Sequence, residues 1–316
     1  MSNRLFVALL LASACVSAQN YPTRPIRIVV PYPPGGAADN TARVLQPRLI
    51  EALGQQIVLD NRSGASGIIG ADIVAKSAPD GYTLLHDASA FTVNPALRKL
   101  PFDPLKDLVP VAMLMRTPNL FVLHPAVPVS NIRELIDLAR AQPGRVTMGS
   151  SGYGSAPHMA GELFMAMTQT RLLHVPYKGG GLVYADLLGG QLQLFIGSIA
   201  SALPHVQGAK LKGIALTSAQ RSRSAPNIPT VAESGVPGYE LFEWNTLYAP
   251  AGTPPAIVAR LNAVLNKIIE TPDLQQRYFQ MGAEGVPSTP FSTATYVRGE
   301  IAKWAKTVKE MGIKGE

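Results

Sequence analysis

Residues 26–39 read Ile26-Arg27-Ile28-Val29-Val30-Pro31-Tyr32-Pro33-Pro34-Gly35-Gly36-Ala37-Ala38-Asp39. Four of the first five residues are β-branched, which suits a buried strand. The prolines end it and the two glycines permit a sharp turn. A helix is expected from Asp39 to Leu53. Strand, Gly-rich loop and helix in that order are the repeating unit of an α/β fold with a largely parallel sheet.

The unit recurs on either side. Gln56 to Leu59 reads as a strand, and Ser63-Gly64-Ala65-Ser66-Gly67 opens a second helix ending near Lys76. Tyr82 to His86 is a third strand. After Val122 come a helix from Asn131 to Ala141, with Asn131 and Glu134 as a capping box, and a strand from Arg145 to Met148. A helix from Ser155 to Met167, a strand from Leu172 to Val175 and a helix after Gly181 follow. Leu192 to Ile196 and Leu211 to Thr217 complete the strands. Thr253 is expected to cap a helix whose face carries Ile257, Leu261, Val264, Leu265 and Ile268. Val297, Ile301, Trp304, Val308 and Met311 mark a last helix.

The chain has 316 residues, enough for two lobes of ordinary size. Two extended apolar segments, 119–123 and 244–249, read as crossings between lobes. The expected division is 1–18 as a signal peptide, 19–120 with 249–316 as a discontinuous first lobe, and 121–248 as the second. The cleft between lobes is then the default ligand site.

The first residues set the compartment. Arg4 precedes the apolar run Leu5 to Ala12, and Val16-Ser17-Ala18 suits cleavage before Gln19. The run is shorter than the ~20 residues of a membrane span. A periplasmic, soluble mature chain is expected. Cys15, the only cysteine, leaves with the signal unless cleavage just before it makes a lipoprotein. Net charge is +7, a mild field that favours anions. The densest basic stretch, Arg221 to Arg223, is too thin for a nucleic-acid stripe, so no nucleic-acid partner is expected.

Three loops carry the candidate chemistry. In the first, Tyr32, Gly35, Gly36, Ala37 and Asp39 lie where a strand meets a helix start, whose free N–H groups suit an anion. Asp39 either meets the ligand or caps the helix. In the second, Ser150, Ser151, Gly154, Ser155 and His158 offer hydroxyls and amides at another helix start. In the third, Tyr177, Lys178 and Gly179 repeat the pattern. Tyr177 is placed to close over a ligand, and Lys178 is either a contact or a solvated charge.

Catalytic templates fit less well. Ser151 lacks the final glycine of a nucleophile elbow. Ser155 and His158 can share a helix face, but no orienting acid is near in sequence. The five histidines form no HExxH pair, and there is no dinucleotide or phosphate-loop fingerprint. No metal, cofactor or catalytic residue is expected. A secreted serine hydrolase using Ser151 or Ser155 with His158 stands as the alternative. The effector lobe of a transcription regulator is a third reading, opposed by the signal peptide and the lack of a DNA-binding segment.

These motifs together resemble the Bug family of extracytoplasmic solute receptors, the binding subunits of tripartite tricarboxylate transporters. The resemblance rests on Tyr21-Pro22-Thr23-Arg24-Pro25-Ile26, Pro31 to Gly36 with Asp39, Asn61-Arg62-Ser63-Gly64-Ala65-Ser66-Gly67 and Pro79-Asp80-Gly81-Tyr82-Thr83-Leu84. It continues through Gly154-Ser155 with His158, Val175 to Gly179, Asp186 to Gln191, Ile228 to Glu233 and Ala249 to Pro254. It implies a two-lobed type II periplasmic-binding fold that closes on a small carboxylate, with membrane transporter subunits as transient partners and a monomeric receptor. It also implies that the loops Tyr32 to Asp39 and Ser150 to His158 grip the carboxylate.

Two departures stand out. Gly197-Ser198 occupies the place where relatives carry Asp-Asn or Asp-Ser. Loss of that acid disfavours a ligand amine and leaves room for a bulkier or more anionic ligand, with Ser198 kept as a contact. His86-Asp87-Ala88-Ser89 is less Thr/Ser-rich than usual, though Ser89 retains a donor.

Overall fold

The computed structural model describes residues 21–177 and 179–313. The proposed signal segment, Cys15 and Lys178 lie outside the described residues.

Three parallel strands, β1 (Ile26–Val30), β2 (Ile57–Asn61) and β3 (Thr83–Ala88), build the first lobe's sheet in the order β2-β1-β3. Helix α1 (Ala37–Leu53) follows β1, and α2 (Ile68–Ala75) follows β2 after a tight turn at Ala65–Gly67. The anticipated helix at 39–53 thus begins two residues earlier. Helix α3 (Ala90–Leu97) follows β3 and was not legible in sequence.

Strand β4 (Leu108–Leu123) is a single ladder element of 16 residues. Its first part pairs antiparallel with β9 (Phe242–Pro250), and its last part pairs with β7 (Leu194–Ser198) and β8 (Lys212–Leu216). The crossing expected at 119–123 is the last part of β4, paired with β7 and β8, and the one expected at 244–249 lies in β9, paired with the first part of β4. In the second lobe, β5 (Thr147–Ser150), β6 (Leu173–Pro176) and β7 run parallel. Helices α4 (Ile132–Ala141), α5 (Ala156–Thr168), α6 (Gly180–Leu188) and α7 (Ile199–Gln207) surround them. Helices α8 (Pro255–Ile269), α9 (Pro272–Gln280) and α10 (Pro290–Met311) close the chain, and the short β10 (Glu284–Gly285) adds to β4.

Packing follows the sequence periodicity. Leu45, Leu49, Leu261 and Leu265 are buried on one face of the first sheet. On its other face Val29, Leu85, Phe91, Trp244 and Tyr248 pack with Val297 of α10. Phe121, Met148, Phe164 and Ile196 centre the second lobe's core. Trp304 and Val308 of α10 join that second core, so the last helix straddles both lobes.

Two caps differ from expectation. Thr253 does not cap α8; its hydroxyl turns back to the Pro250 carbonyl at 2.7 Å, and Pro254 holds the cap position. Asn131 caps α4 as expected, accepting from Glu134 N–H at 3.0 Å. The Glu134 carboxylate reaches one residue further back, to Ser130 N–H at 2.7 Å.

Candidate functional site

The register of the long pair locates the cleft. Ala88, the last residue of β3, is level with Asn245 of β9, which is level with Met115 of β4. Ser198, the last residue of β7, is level with Asn119 of β4. The carboxyl edges of both parallel sheets therefore converge on residues 115–119. Ligand sites in α/β sheets gather at such edges.

The first loop is shaped from beneath by Asp39. This residue is fully buried. It accepts from Gly35 N–H at 2.8 Å, Arg43 Nε at 2.7 Å and Asn61 Nδ2 at 2.9 Å. Burial opposes its ionisation, but the bonds from Arg43, Gly35 and Asn61 outweigh that and hold its carboxyl below the usual range. Asp39 is thus neither the cap of α1, a position Gly36 holds, nor free for a ligand. Gly35 takes a left-handed φ of 80° that the turn requires. Tyr32 donates its phenol to Asp87 Oδ1 at 2.8 Å. Ala37 begins α1.

The second loop is fixed by its own side chains. Ser155 Oγ donates to Gly152 O at 2.6 Å, and Gly154 N–H donates to His158 Nδ1 at 3.1 Å. That places the His158 proton on Nε2, 3.4 Å from Glu162 Oε1. His158 stacks on His174 at 4.2 Å, and His174 Nε2 lies 2.6 Å from Ser150 Oγ. Burial, with a smaller push from His158, lowers His174 to about 4. Ser150 and His158 are buried. Among the described residues Ser151 Oγ makes no hydrogen bond, and neither Ser151 nor Ser155 bonds to His158.

The third loop is tied to its own helix. Tyr177 donates to Asp186 Oδ2 at 2.7 Å, rather than closing over the cleft. Gly179 precedes α6 with a φ of 113°. Ser89 precedes α3 and Ser198 precedes α7.

A pattern emerges at the helix starts. The helices α1, α3, α5, α6 and α7 that follow Gly36, Ser89, Ser155, Gly179 and Ser198 have no side-chain cap. Away from the convergence, α4 is capped by Asn131 and α10 by a Thr289–Ser292 box, while α8 and α9 lack a side-chain cap. Uncapped helix starts at the sheet edges leave N–H groups for an anion.

The two lobes touch near this place. Ser66 Oγ donates to Tyr153 O at 3.5 Å, and Asn94 Nδ2 donates to Ser66 O at 2.9 Å. A side chain on Gly154 would begin 3.2 Å from Leu97 Cδ1. Ala65 and Ser66 both hold positive φ, 47° and 53°, a strained pairing for residues with side chains. Between α3, α5, β9 and α10 lies a pocket of about 200 Å³ lined by Ser89, Val93, Ala156, Met159, Phe242 and Trp304 among others. Much of that space opens to solvent, and the enclosed part holds about one water, so it is not a ligand chamber.

Sequence reasoning missed Ser66, Asp87, His174, Asn119 and Glu243. The reading of the second crossing began one residue after Glu243. His174 sits in an apolar strand with no local signal of its partner. No set of three His, Cys, Asp or Glu residues among the described residues can hold a metal ion.

Residues 41–313 match the tripartite tricarboxylate transporter family receptor. The chain belongs to this family. Protein BugT of Bordetella pertussis is 39% identical over 313 residues, covering 98% of this chain and 96% of that one. A solved Rhodopseudomonas palustris structure, Rpa4515 with adipate, is 37% identical with a TM-score of 0.85, covering 94% of this chain and 100% of that one. MatC from the same organism, with bound malate, is 31% identical with a TM-score of 0.79, covering 91% and 100%. The likeness extends over the whole two-lobed α/β architecture, and these relatives are solute-binding receptors. No helix among the described residues is long and apolar enough to cross a membrane.

Proposed function

We propose that this receptor captures a small organic carboxylate, a di- or tricarboxylate or an aromatic acid, between its lobes in the periplasm. The bound acid stabilises the closed form, and membrane transporter subunits or a sensor read that form. The carrying observation is the set of uncapped helix starts at the converging sheet edges. Bridging contacts between Ser66 and Tyr153 support closure across the same place. The ligand set on this reading is Tyr32 to Ala37, Ser89, Ser151, Gly154 and Ser155, Gly179 and Ser198. Asp39, Ser150, His158 and Tyr177 act beneath them as loop supports.

The protein works as a monomeric binder without catalysis. The hydrolase alternative loses its base, because His158 points its nitrogens at Gly154 and Glu162. Ser150 and His174 do form a Ser–His pair, but Ser150 is fully buried and also bonds the Gly152 carbonyl.

The test is a thermal-shift screen of refolded, ligand-stripped protein against dicarboxylates, citrate, acidic amino acids and aromatic acids. Ligand at a hundred times its Kd adds about 2.7 kcal/mol of stability. A response confined to one carboxylate class is expected. No response to any acid, or ester turnover lost on Ser151→Ala or Ser155→Ala, would sink the reading.

A further inference from the structure

Glu243 lies on β9 directly opposite Thr117 of β4. That level is midway between Met115, where the first sheet's edge arrives, and Asn119, where the second's arrives. By register, then, Glu243 stands at the floor of the cleft. It is partly buried, and among the described residues it makes no hydrogen bond and no ion pair. Its charge bears on the phenol of Tyr32 in the first ligand loop.

The surroundings give it no cation. Arg116 is adjacent to Thr117 on β4 but on the opposite face, where it pairs with Glu284 and lies 4.7 Å over the Phe242 ring. The titratable neighbours are Tyr32 and, behind it, Asp87, which are acidic groups themselves. Thr117 shares Glu243's face as its cross-strand neighbour, but its hydroxyl donates to Gly282 O at 3.0 Å. Two residues along the same face, fully buried Asn119 donates through Nδ2 to Ile196 O and leaves Oδ1 without a partner. The cleft floor therefore holds two acceptors without a partner, Glu243 and Asn119 Oδ1, and the nearest donor-bearing side chains, Asn245 on Glu243's own strand and Ser198 level with Asn119, bond neither of them.

We infer that Glu243 is a specificity-determining residue that accepts a hydrogen bond from a hydroxyl or amino group on the bound acid, so that the receptor selects donor-bearing carboxylates over plain diacids. A dehydrated acceptor left unpaired is costly, and a donor on the ligand removes that cost when the cleft closes. Burial raises the Glu243 carboxyl, so its anion is held only when a donor, above all a ligand amine, meets it; a second carboxylate offers no such donor. This inference rests on the carboxylate reading above. It also reverses the expectation drawn from Gly197-Ser198, because an acid missing there is supplied from β9.

The experiment compares matched acids by calorimetry on ligand-stripped protein. Each set holds an unsubstituted diacid (succinate, glutarate or adipate), its 2-hydroxy and 2-amino derivatives, and the ω-hydroxy and ω-amino monoacids of the same methylene count. The expected result is that the tightest binder carries a donor and exceeds its diacid by about tenfold or more. Glu243→Gln should narrow that margin and raise diacid affinity, and Glu243→Met should abolish it. A diacid that binds as tightly as its donor-bearing partners, with Glu243→Gln unchanged, overturns this inference while leaving the carboxylate reading in place. Failure of every acid to bind overturns both.

Discussion

Tyr32 and Asp87 lie 55 residues apart in the chain and are joined by a hydrogen bond of 2.8 Å from phenol to carboxylate. The bond ties the first ligand loop to the end of β3. Asp87 is buried, and burial pushes its carboxyl up to about 7, although the bonds from Ala88 N–H and Tyr32 favour the ionised form. A raised acid binds its proton more tightly folded than unfolded. Stability therefore falls as pH rises from about 4 through 7 and levels off above that, by about 1.4 kcal/mol per unit of difference. Asp87→Asn keeps an acceptor for Tyr32 and removes the charge. Its melting temperature relative to the parent should climb between pH 5 and pH 8, as followed by thermal melts. Parallel curves would mean that Asp87 ionises freely.

Gly154 holds a φ of 74°, and a side chain there would start 3.2 Å from Leu97 Cδ1 of α3, which follows β3 of the first sheet and packs against the second core. Gly154→Val should cost about 1–2 kcal/mol in backbone strain and wedge the lobes apart. Ligand affinity should fall by about tenfold or more, with an expanded scattering profile in the presence of acid. Adding Leu97→Ala should restore part of the affinity without relieving the strain. Equal affinity in parent and Gly154→Val would remove this contact from the closing motion.

On the acid side, two histidines dominate, buried His86 and half-buried His174. Burial lowers both His86 and His174 to about 4, from an ordinary value of 6.5. Their stabilising effect is fully present above 6.5 and is lost as pH falls toward 4, because the unfolded chain takes up protons first. His86 contributes up to roughly 3 kcal/mol to that loss, and the half-buried His174 less. This trend opposes that of Asp87 over the same range. His174→Gln should flatten the parent's decline between pH 6.5 and 4 and keep a bond to Ser150. His174→Leu should flatten it equally but lose about 1–2 kcal/mol of binding energy through the released loop. An acid decline as steep as the parent's in both variants would contradict the assignment, since His86 alone accounts for only part of it.

Thr289 and Ser292 bond each other's backbone N–H at 3.0 Å at the start of α10. Thr289→Ala should cost about 1 kcal/mol in urea melts with ligand affinity unchanged. A large affinity loss would implicate this end of α10 in ligand binding.

What could be read in advance was local. Ile26 to Asp39 shows its strand, turn and helix within 14 residues, and the Gly/Ser loops announce helix starts. The long strand β4 was read only at 119–123, because Pro110, Arg116 and Pro118 break its alternation. In the structure, Pro110 sits beside a bulge in the ladder to β9. Helix α3 was hidden by Pro95, which lies inside it. The site divides the same way. Glycines at the loops were visible, while the supporting roles of Asp39, Ser150, His158 and Tyr177 depend on partners distant in space or on the far side of a turn. Glu243 was beyond reach, since its significance is the lack of a partner at a level set by the pairing of strands over a hundred residues apart.

Helix α10 is 22 residues long, about 33 Å, with Val297 anchored in one core and Trp304 and Val308 in the other. Two strands alone would behave as a door on a pair of pins, free to swing and to twist. A rigid rod riveted to both panels adds a third point of attachment, and three points define a plane of movement where two define only an axis. Any relative movement of the lobes has to be taken up in the packing of Val297, Trp304 and Val308. On the carboxylate reading, the last helix of the chain then limits how wide the cleft opens, from a pocket that Trp304 shares with Ser89.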